Sequence, residues 1–280
     1  MHHGVSQSAL VSRVRSPRSI GLAVVATVAG SLAGCGGADQ PAIELPPANG
    51  GFDYQLGGAY DPGDAVEIVA RDRTDEPDAD RYSICYVNGF QTQPDEAAFW
   101  LDEHPDLLVR GTDGEPATDP EWPDEWILDI STPANRDEVV AIVGAWVDGC
   151  AADGYDAVEI DNLDTFTRFP DQLGEDDAAA LARALTERAH AAGLAIGQKN
   201  AVDLVARREE LGFDFAVAEQ CTEFDECEAF AEGYGDQVYV VEYDEAAFEQ
   251  GCERHPELSI VLRDLDLVEP DDPAYERRTC

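Results

Sequence analysis

The residues best suited to chemistry lie in one short run, Ala157-Val158-Glu159-Ile160-Asp161-Asn162-Leu163-Asp164. Read as a strand, Val158 and Ile160 face one side while Glu159 and Asp161 face the other. Two carboxylates on one buried face are costly unless something partners or uses them. Other apolar runs end in the same way. Asn88 follows Tyr82 to Val87, and Asp129 lies within Trp126 to Ile130. Gln198, Lys199 and Asn200 follow Leu194 to Ile196; Glu219 and Gln220 follow Phe213 to Val217; Glu242, Tyr243 and Asp244 follow Val238 to Val241. One polar strand end is an ordinary loop start. Several in register, at the carboxyl ends of parallel strands, form the kind of mouth where α/β enzymes hold their active sites. Carboxylates there suit glycoside hydrolysis, in which one protonates the leaving oxygen and another attacks or activates water. They also suit a divalent metal on oxygen ligands. Lys199, the sole lysine of the chain, brings into the acidic set part of the charge a metal would supply. No clear histidine ligand cluster accompanies it, so the expectation is hydrolysis with neither metal nor cofactor.

The elements that must position these groups alternate in type. Besides the runs above, Tyr54 to Leu56, Val66 to Ala70 and Ile260 to Leu262 are apolar. Most runs are nearly continuous, as in parallel strands covered on both faces. Between them lie helical patterns. Asn135 with Glu138 reads as a capping box, and Val139, Val143, Trp146, Val147 and Cys150 give one apolar face before Gly154. Asp176 or Asp177 starts the next helix, whose Leu181, Leu185, Ala189 and Ala192 precede a stop at Gly193. Strands alternating with helices place the chain in the α/β class, as a single-domain (β/α)8 TIM barrel. Nine candidate strands exceed eight by one, and the Tyr54 run is taken as an extra N-terminal strand. An open doubly wound sheet is the alternative, but no GxGxxG or GxxxxGK[ST] loop is present.

The bulk numbers narrow the class. The 280 residues carry a formal charge of −41, which excludes nucleic acid as a partner and names no substrate. Arg13, Arg15 and Arg18 precede an apolar run, Ile20 to Leu32, that ends in Leu32-Ala33-Gly34-Cys35. Residues 1–35 therefore read as a lipoprotein-type signal peptide, with lipid modification and a membrane anchor at Cys35. Residues 36–51 read as a flexible Gly/Pro/Ala tether, and residues 52–280 as the barrel. The mature chain is expected in the cell envelope or outside the cell. Six further cysteines fit disulfides in an exported protein. Cys221 and Cys227 are close enough to staple one loop. Cys252 with Cys280 is the next choice, and Cys85 and Cys150 are left open.

Several motifs in order resemble glycoside hydrolase family 114, the endo-α-1,4-polygalactosaminidase-like proteins. They are Tyr54-Gln-Leu-Gly57, Ile84-Cys-Tyr-Val87, Gly154-Tyr-Asp-Ala-Val-Glu-Ile-Asp-Asn162, His190-Ala-Ala-Gly-Leu194, Gln198-Lys-Asn200, Asp214-Phe-Ala-Val-Ala-Glu-Gln-Cys221, Glu226-Cys227 and Val241-Glu-Tyr243. The resemblance spans roughly Phe52 to Leu265. It implies a (β/α)8 barrel, without cofactor, that cuts inside an α-1,4-linked galactosamine-containing exopolysaccharide. By motif, Asp161 and Glu219 become the catalytic pair, with Asp161 as nucleophile beside Lys199 and Glu219 as general acid in a drier site. Glu159, Asp164, Lys199, Asn200, Glu242 and Tyr243 become the substrate-contacting set, whose carboxylates suit a cationic amino sugar. A monomer is expected. The alternative is a non-catalytic polysaccharide-binding lipoprotein. One departure concerns Tyr86-Val87-Asn88-Gly89-Phe90, where the family pattern leads one to expect a small residue in place of Asn88.

Overall fold

The computed structural model describes residues 43–280. The basic leader, the apolar run and Cys35 lie outside the described residues. Eight parallel strands follow one another in chain order: β1 (Phe52–Gln55), β2 (Ile68–Asp72), β3 (Tyr82–Asn88), β4 (Ala157–Asp161), β5 (Ala195–Lys199), β6 (Phe215–Glu219), β7 (Val238–Glu242) and β8 (Ser259–Arg263). A short ninth strand, β9 (Arg277–Thr279), runs antiparallel to β8. The helices are α1 (Ala97–Glu103), α2 (Pro133–Asp153), α3 (Thr165–Arg168), α4 (Glu175–Ala192), α5 (Arg208–Leu211), α6 (Cys227–Tyr234) and α7 (Glu245–Arg254).

This is a TIM-barrel-like fold, with two corrections to the expected strand list. The Tyr54 run is a barrel strand, paired with β2, and not an addition. The surplus run is Trp126 to Ile130. It makes isolated antiparallel bridges to Gln91, Leu108 and Thr118, within the long segment 89–132 between β3 and α2. Its Ile127, Leu128 and Ile130 are buried against the outer core. The apolar signal was therefore real, but it covers the barrel instead of entering it. The first two crossovers carry no helix. Asp61-Pro62-Gly63-Asp64 and the acidic stretch around Pro77 are too short and too poor in helix formers to make one.

Alternation along the strands separates two apolar regions. Phe52, Tyr54, Ile68, Ala70, Ile84, Ala157, Ala195, Phe215, Val217, Tyr239, Val241 and Val261 fill the barrel interior. Val158, Ile160, Ile196, Ala216, Ala218, Val238 and Val240 face the helices. Gly197, which shortens the apolar run of β5 in the sequence, lies inside the strand; a Cβ there would sit 2.5 Å from the Phe215 ring. Its absence lets that ring fill the layer beneath the mouth. The expected capping box at Asn135 is replaced by Thr132, whose hydroxyl accepts from Asn135 N at 3.1 Å. Gly174 caps α4, and the Asp177 carboxylate accepts from its amide at 3.2 Å. Gly154 and Gly193 close their helices at φ 97° and 85°, as read from the sequence.

No backbone ladder joins β8 to β1 among the described residues. Arginines bridge the seam. The fully buried Arg263 donates to Tyr54 O and lies 3.4 Å from Asp53 Oδ1, and Arg277 Nε of β9 lies 3.0 Å from the same oxygen. At the opposite end of the barrel, residues 43–51 do not behave as a free tether. Tyr82 OH donates to Glu44 O at 2.7 Å, and Tyr239 OH to Pro46 O at 3.1 Å, so this stretch plugs the bottom.

Three disulfides lock the periphery: Cys85–Cys150, Cys221–Cys227 and Cys252–Cys280. The first ties β3 to α2; the second staples the loop after β6; the third ties the C-terminus to α7.

Candidate active site

Asp161, Lys199 and Glu219 are each the last residue of their strands β4, β5 and β6. Each is followed by a residue with left-handed backbone: Asn162 at φ 64°, Asn200 at 47° and Gln220 at 56°. Asparagine tolerates this region better than most side chains, and such conformations cluster where a chain must present a group sharply. Three neighbouring strands thus turn away at once and leave their terminal side chains in the mouth.

Lys199 Nζ lies 3.2 Å from Asp161 Oδ2 and 3.0 Å from Glu219 Oε2. The lysine side chain is only 1% exposed and enters from below, while Asp161 and Glu219 are 14% and 23% exposed. Desolvation of Lys199 alone would favour the neutral amine. Asp161, Glu219 and Glu159 outweigh it and hold the ammonium well above its ordinary range. Because both carboxylate oxygens touch one nitrogen at these distances, they are separated by at most about 6.2 Å.

Asp161 accepts further hydrogen bonds from Tyr86 OH at 2.7 Å and Asn162 N at 2.6 Å. Glu219 accepts from Tyr243 OH and, at 3.4 Å, from Asn200 Nδ2, whose Oδ1 in turn accepts from Glu219 N at 2.8 Å. Tyr54 and Tyr86 place their rings 5.4 and 5.6 Å from the Lys199 ammonium.

The remaining residues of the expected substrate-contacting set divide. Lys199, Asn200 and Tyr243 stand at the mouth and hold the pair. Glu159 is on the same strand face one layer deeper and has no exposed surface, so it supports Lys199 from beneath and meets no substrate. Tyr54 OH donates to its Oε1 at 2.5 Å, and burial pushes its carboxyl up to about 7 against the opposing pull of Lys199. Asp164 sits at the rim, with its Oδ1 bound to Arg168 Nη1 at 2.8 Å. Glu242 has the parity of Val238 and Val240 and faces away from the interior, where its Oε1 accepts from Thr222 N at 2.8 Å. It orders the stapled loop and does not line the mouth. The drier position expected for Glu219 is also reversed, since Asp161 is the less exposed of the two.

Among the described residues, Cys221, Cys227 and Glu242 have the spacing of a metal cluster. Both sulfurs are consumed in one disulfide, so they offer no thiolate.

Sequence reading overlooked three contributors. Tyr54 and Tyr86 are hidden in apolar strands, and only the phase of β1 and β3 against Glu159 and Asp161 could have flagged them. Glu125 comes from the segment 89–132, where no strand end announces it.

A family model described as glycoside-hydrolase family GH114 matches residues 35–280. The chain belongs to this family. No curated protein matches it. Among solved structures it is similar to Aspergillus fumigatus Ega3 in complex with galactosamine, at 22% identity and TM-score 0.66 over 85% of this chain and 97% of that one. It is also similar to the glycoside hydrolase domain of PelA from Pseudomonas aeruginosa, at 13% identity and TM-score 0.54 over 80% and 97%. At these identities the likeness establishes the barrel and not the substrate.

Proposed function

We propose that this GH114 hydrolase cuts an α-1,4-linked galactosamine-containing polysaccharide within the chain, with Asp161 and Glu219 as its catalytic pair. The observation that carries the reading is the shared Lys199 contact, which holds two partly exposed carboxylates on one side of the mouth. Ega3, a similar structure, is described with galactosamine bound, and that supports the sugar class.

A ceiling of about 6.2 Å on the facing oxygens accommodates the roughly 5–5.5 Å carboxyl spacing of retaining enzymes. We take retention as the mechanism to be tested. Asp161, fixed by Tyr86, Asn162 N and Lys199, is the nucleophile and forms the glycosyl ester. Glu219 gives its proton to the departing oxygen, then takes one from the water that hydrolyses the ester. Its greater exposure suits a group that must exchange with water.

The three disulfides support export. The segment ahead of Cys35 lies outside the family match, and we assign Cys35 as the lipid-modified anchor of the mature chain. Detergent-phase partitioning that is lost on Cys35→Ser tests that anchor.

The activity test is incubation of the protein with de-N-acetylated α-1,4-galactosamine oligomers, read by mass spectrometry and by proton NMR of the new anomeric centre. Internal cleavage with the α-anomer appearing first is expected. An intact oligomer pool overturns the substrate, and a β-anomer appearing first overturns retention.

A further inference from the structure

Glu125 brings to the mouth a carboxylate that hydrolysis leaves unused. Its Oε2 accepts from Asn88 Nδ2 at 3.3 Å and from Gln91 Nε2 at 3.0 Å. Asn88 ends β3 and is the register partner of Asp161, so Glu125 stands one strand away from the proposed nucleophile. Burial, with a further contribution from the nearby Asp161 charge, lifts the Glu125 carboxyl to about 7. No hydrogen bond among the described residues uses its Oε1, and that atom is not sealed from solvent.

The turn carrying Glu125 is held at its other end too. Asp119 Oδ2 lies 2.8 Å from Arg168 Nε, and Arg168 Nη2 donates to Gln91 Oε1 at 2.7 Å and to Asn162 Oδ1 at 3.2 Å. Between the two anchors Trp122 is 54% exposed. An indole left in water on a segment pinned beside Asp161 offers a flat apolar face, as aromatic platforms do for sugar rings.

Other carboxylates near Asp161 are committed. Glu159 is sealed beneath Lys199, Asp164 is bound to Arg168, and Asp72 accepts from Gln93 Nε2 at 2.7 Å and from Thr74. A protonated amine has three donors and a full charge; an N-acetyl group has neither the charge nor the small size. We propose that Glu125, held in place by Asn88 and Gln91, is the specificity residue that receives the ammonium of an unacetylated amino sugar in the subsite next to Asp161, with Trp122 as the ring platform beside it. This gives the departure at Asn88 a purpose: a small residue there would leave Glu125 without one of its two donors. The inference rests on the amino-sugar hydrolase reading above.

The test uses partially N-acetylated α-1,4-galactosamine polymer and the fully de-N-acetylated form, with wild type, Glu125→Gln and Asn88→Ala. A charge-assisted hydrogen bond contributes about 1.5–3 kcal/mol, so Glu125→Gln is expected to lower kcat/KM on the de-N-acetylated form by roughly 10- to 100-fold. On the partially acetylated form, wild-type products should carry an unacetylated sugar at a fixed position relative to the new end. Glu125→Gln should scatter that position, with Asn88→Ala changing it in the same direction. Unchanged kcat/KM and an unchanged product-end pattern in both variants, with wild type active, overturn the role of Glu125 alone. A wild type that cuts neither polymer overturns this role together with the hydrolase reading.

Discussion

Lys199 Nζ lies 3.0 Å from Glu219 Oε2, at the base of the mouth and almost wholly out of water. The same nitrogen serves Asp161, and Glu159 lies below it. One cation therefore offsets three carboxylates that folding has gathered on adjacent strands.

Lys199→Met should remove that offset without leaving a void. Breaking a buried pair by deleting one partner costs about 3–5 kcal/mol, so urea unfolding at pH 7 should show a loss of about that size. The loss should shrink at pH 5, where the stranded carboxylates can take up protons. Turnover should fall by at least roughly 100-fold, because the pair is no longer held at one spacing. Wild-type stability and rate in this variant would show that Lys199 is incidental.

Glu159 gives a pH signature. Burial is the main cause that lifts its carboxyl from 4.5 to about 7. The folded chain therefore keeps a proton that the unfolded chain releases between those values. Stability falls as pH rises through that window, and the full cost is present above about pH 7. Glu159→Gln has no such proton to lose. Denaturant unfolding at pH 5, 6, 7 and 8 should show a variant whose stability declines less with pH than wild type, by up to about 3 kcal/mol over the range. Parallel curves would contradict the assignment of Glu159 as a buried acid.

The seam between β8 and β1 depends on β9, since Arg277 reaches Asp53 from there. The Cys252–Cys280 bridge, spanning 28 positions, anchors that strand. Cys252→Ser with Cys280→Ser should cost about 3.6 kcal/mol by the loop-closure argument, read by urea unfolding under non-reducing conditions. A cost near zero would mean that Arg263 closes the seam unaided.

The cluster at the mouth was legible because carboxylates ending apolar strands break an otherwise simple pattern. Asp161, Lys199 and Glu219 stand out by type, and period-two alternation gave Glu159 its deeper layer. The same alternation also assigns Glu242 to the outer face, but only once the start of β7 is known, and a strand end alone does not reveal it. Trp126 to Ile130 misled for a related reason. Its apolar character reports burial, and burial under a long excursion looks the same as burial in a barrel. Glu125 left no local signal at all, since its place depends on how residues 89–132 fold back over Asn88. Asp164 was visible as a carboxylate, whereas its partner Arg168, one helical turn on, decides its role.

The central claim is that Asp161 and Glu219 act together on one glycosidic bond. The most direct measurement is the rate of α-1,4-galactosamine oligomer cleavage by wild type, Asp161→Asn and Glu219→Gln, each shown to be folded by its unfolding curve. Losses of at least roughly 1,000-fold in both variants are predicted, since each removes a group that acts on the reacting bond. Wild-type rates in either variant would contradict the pair.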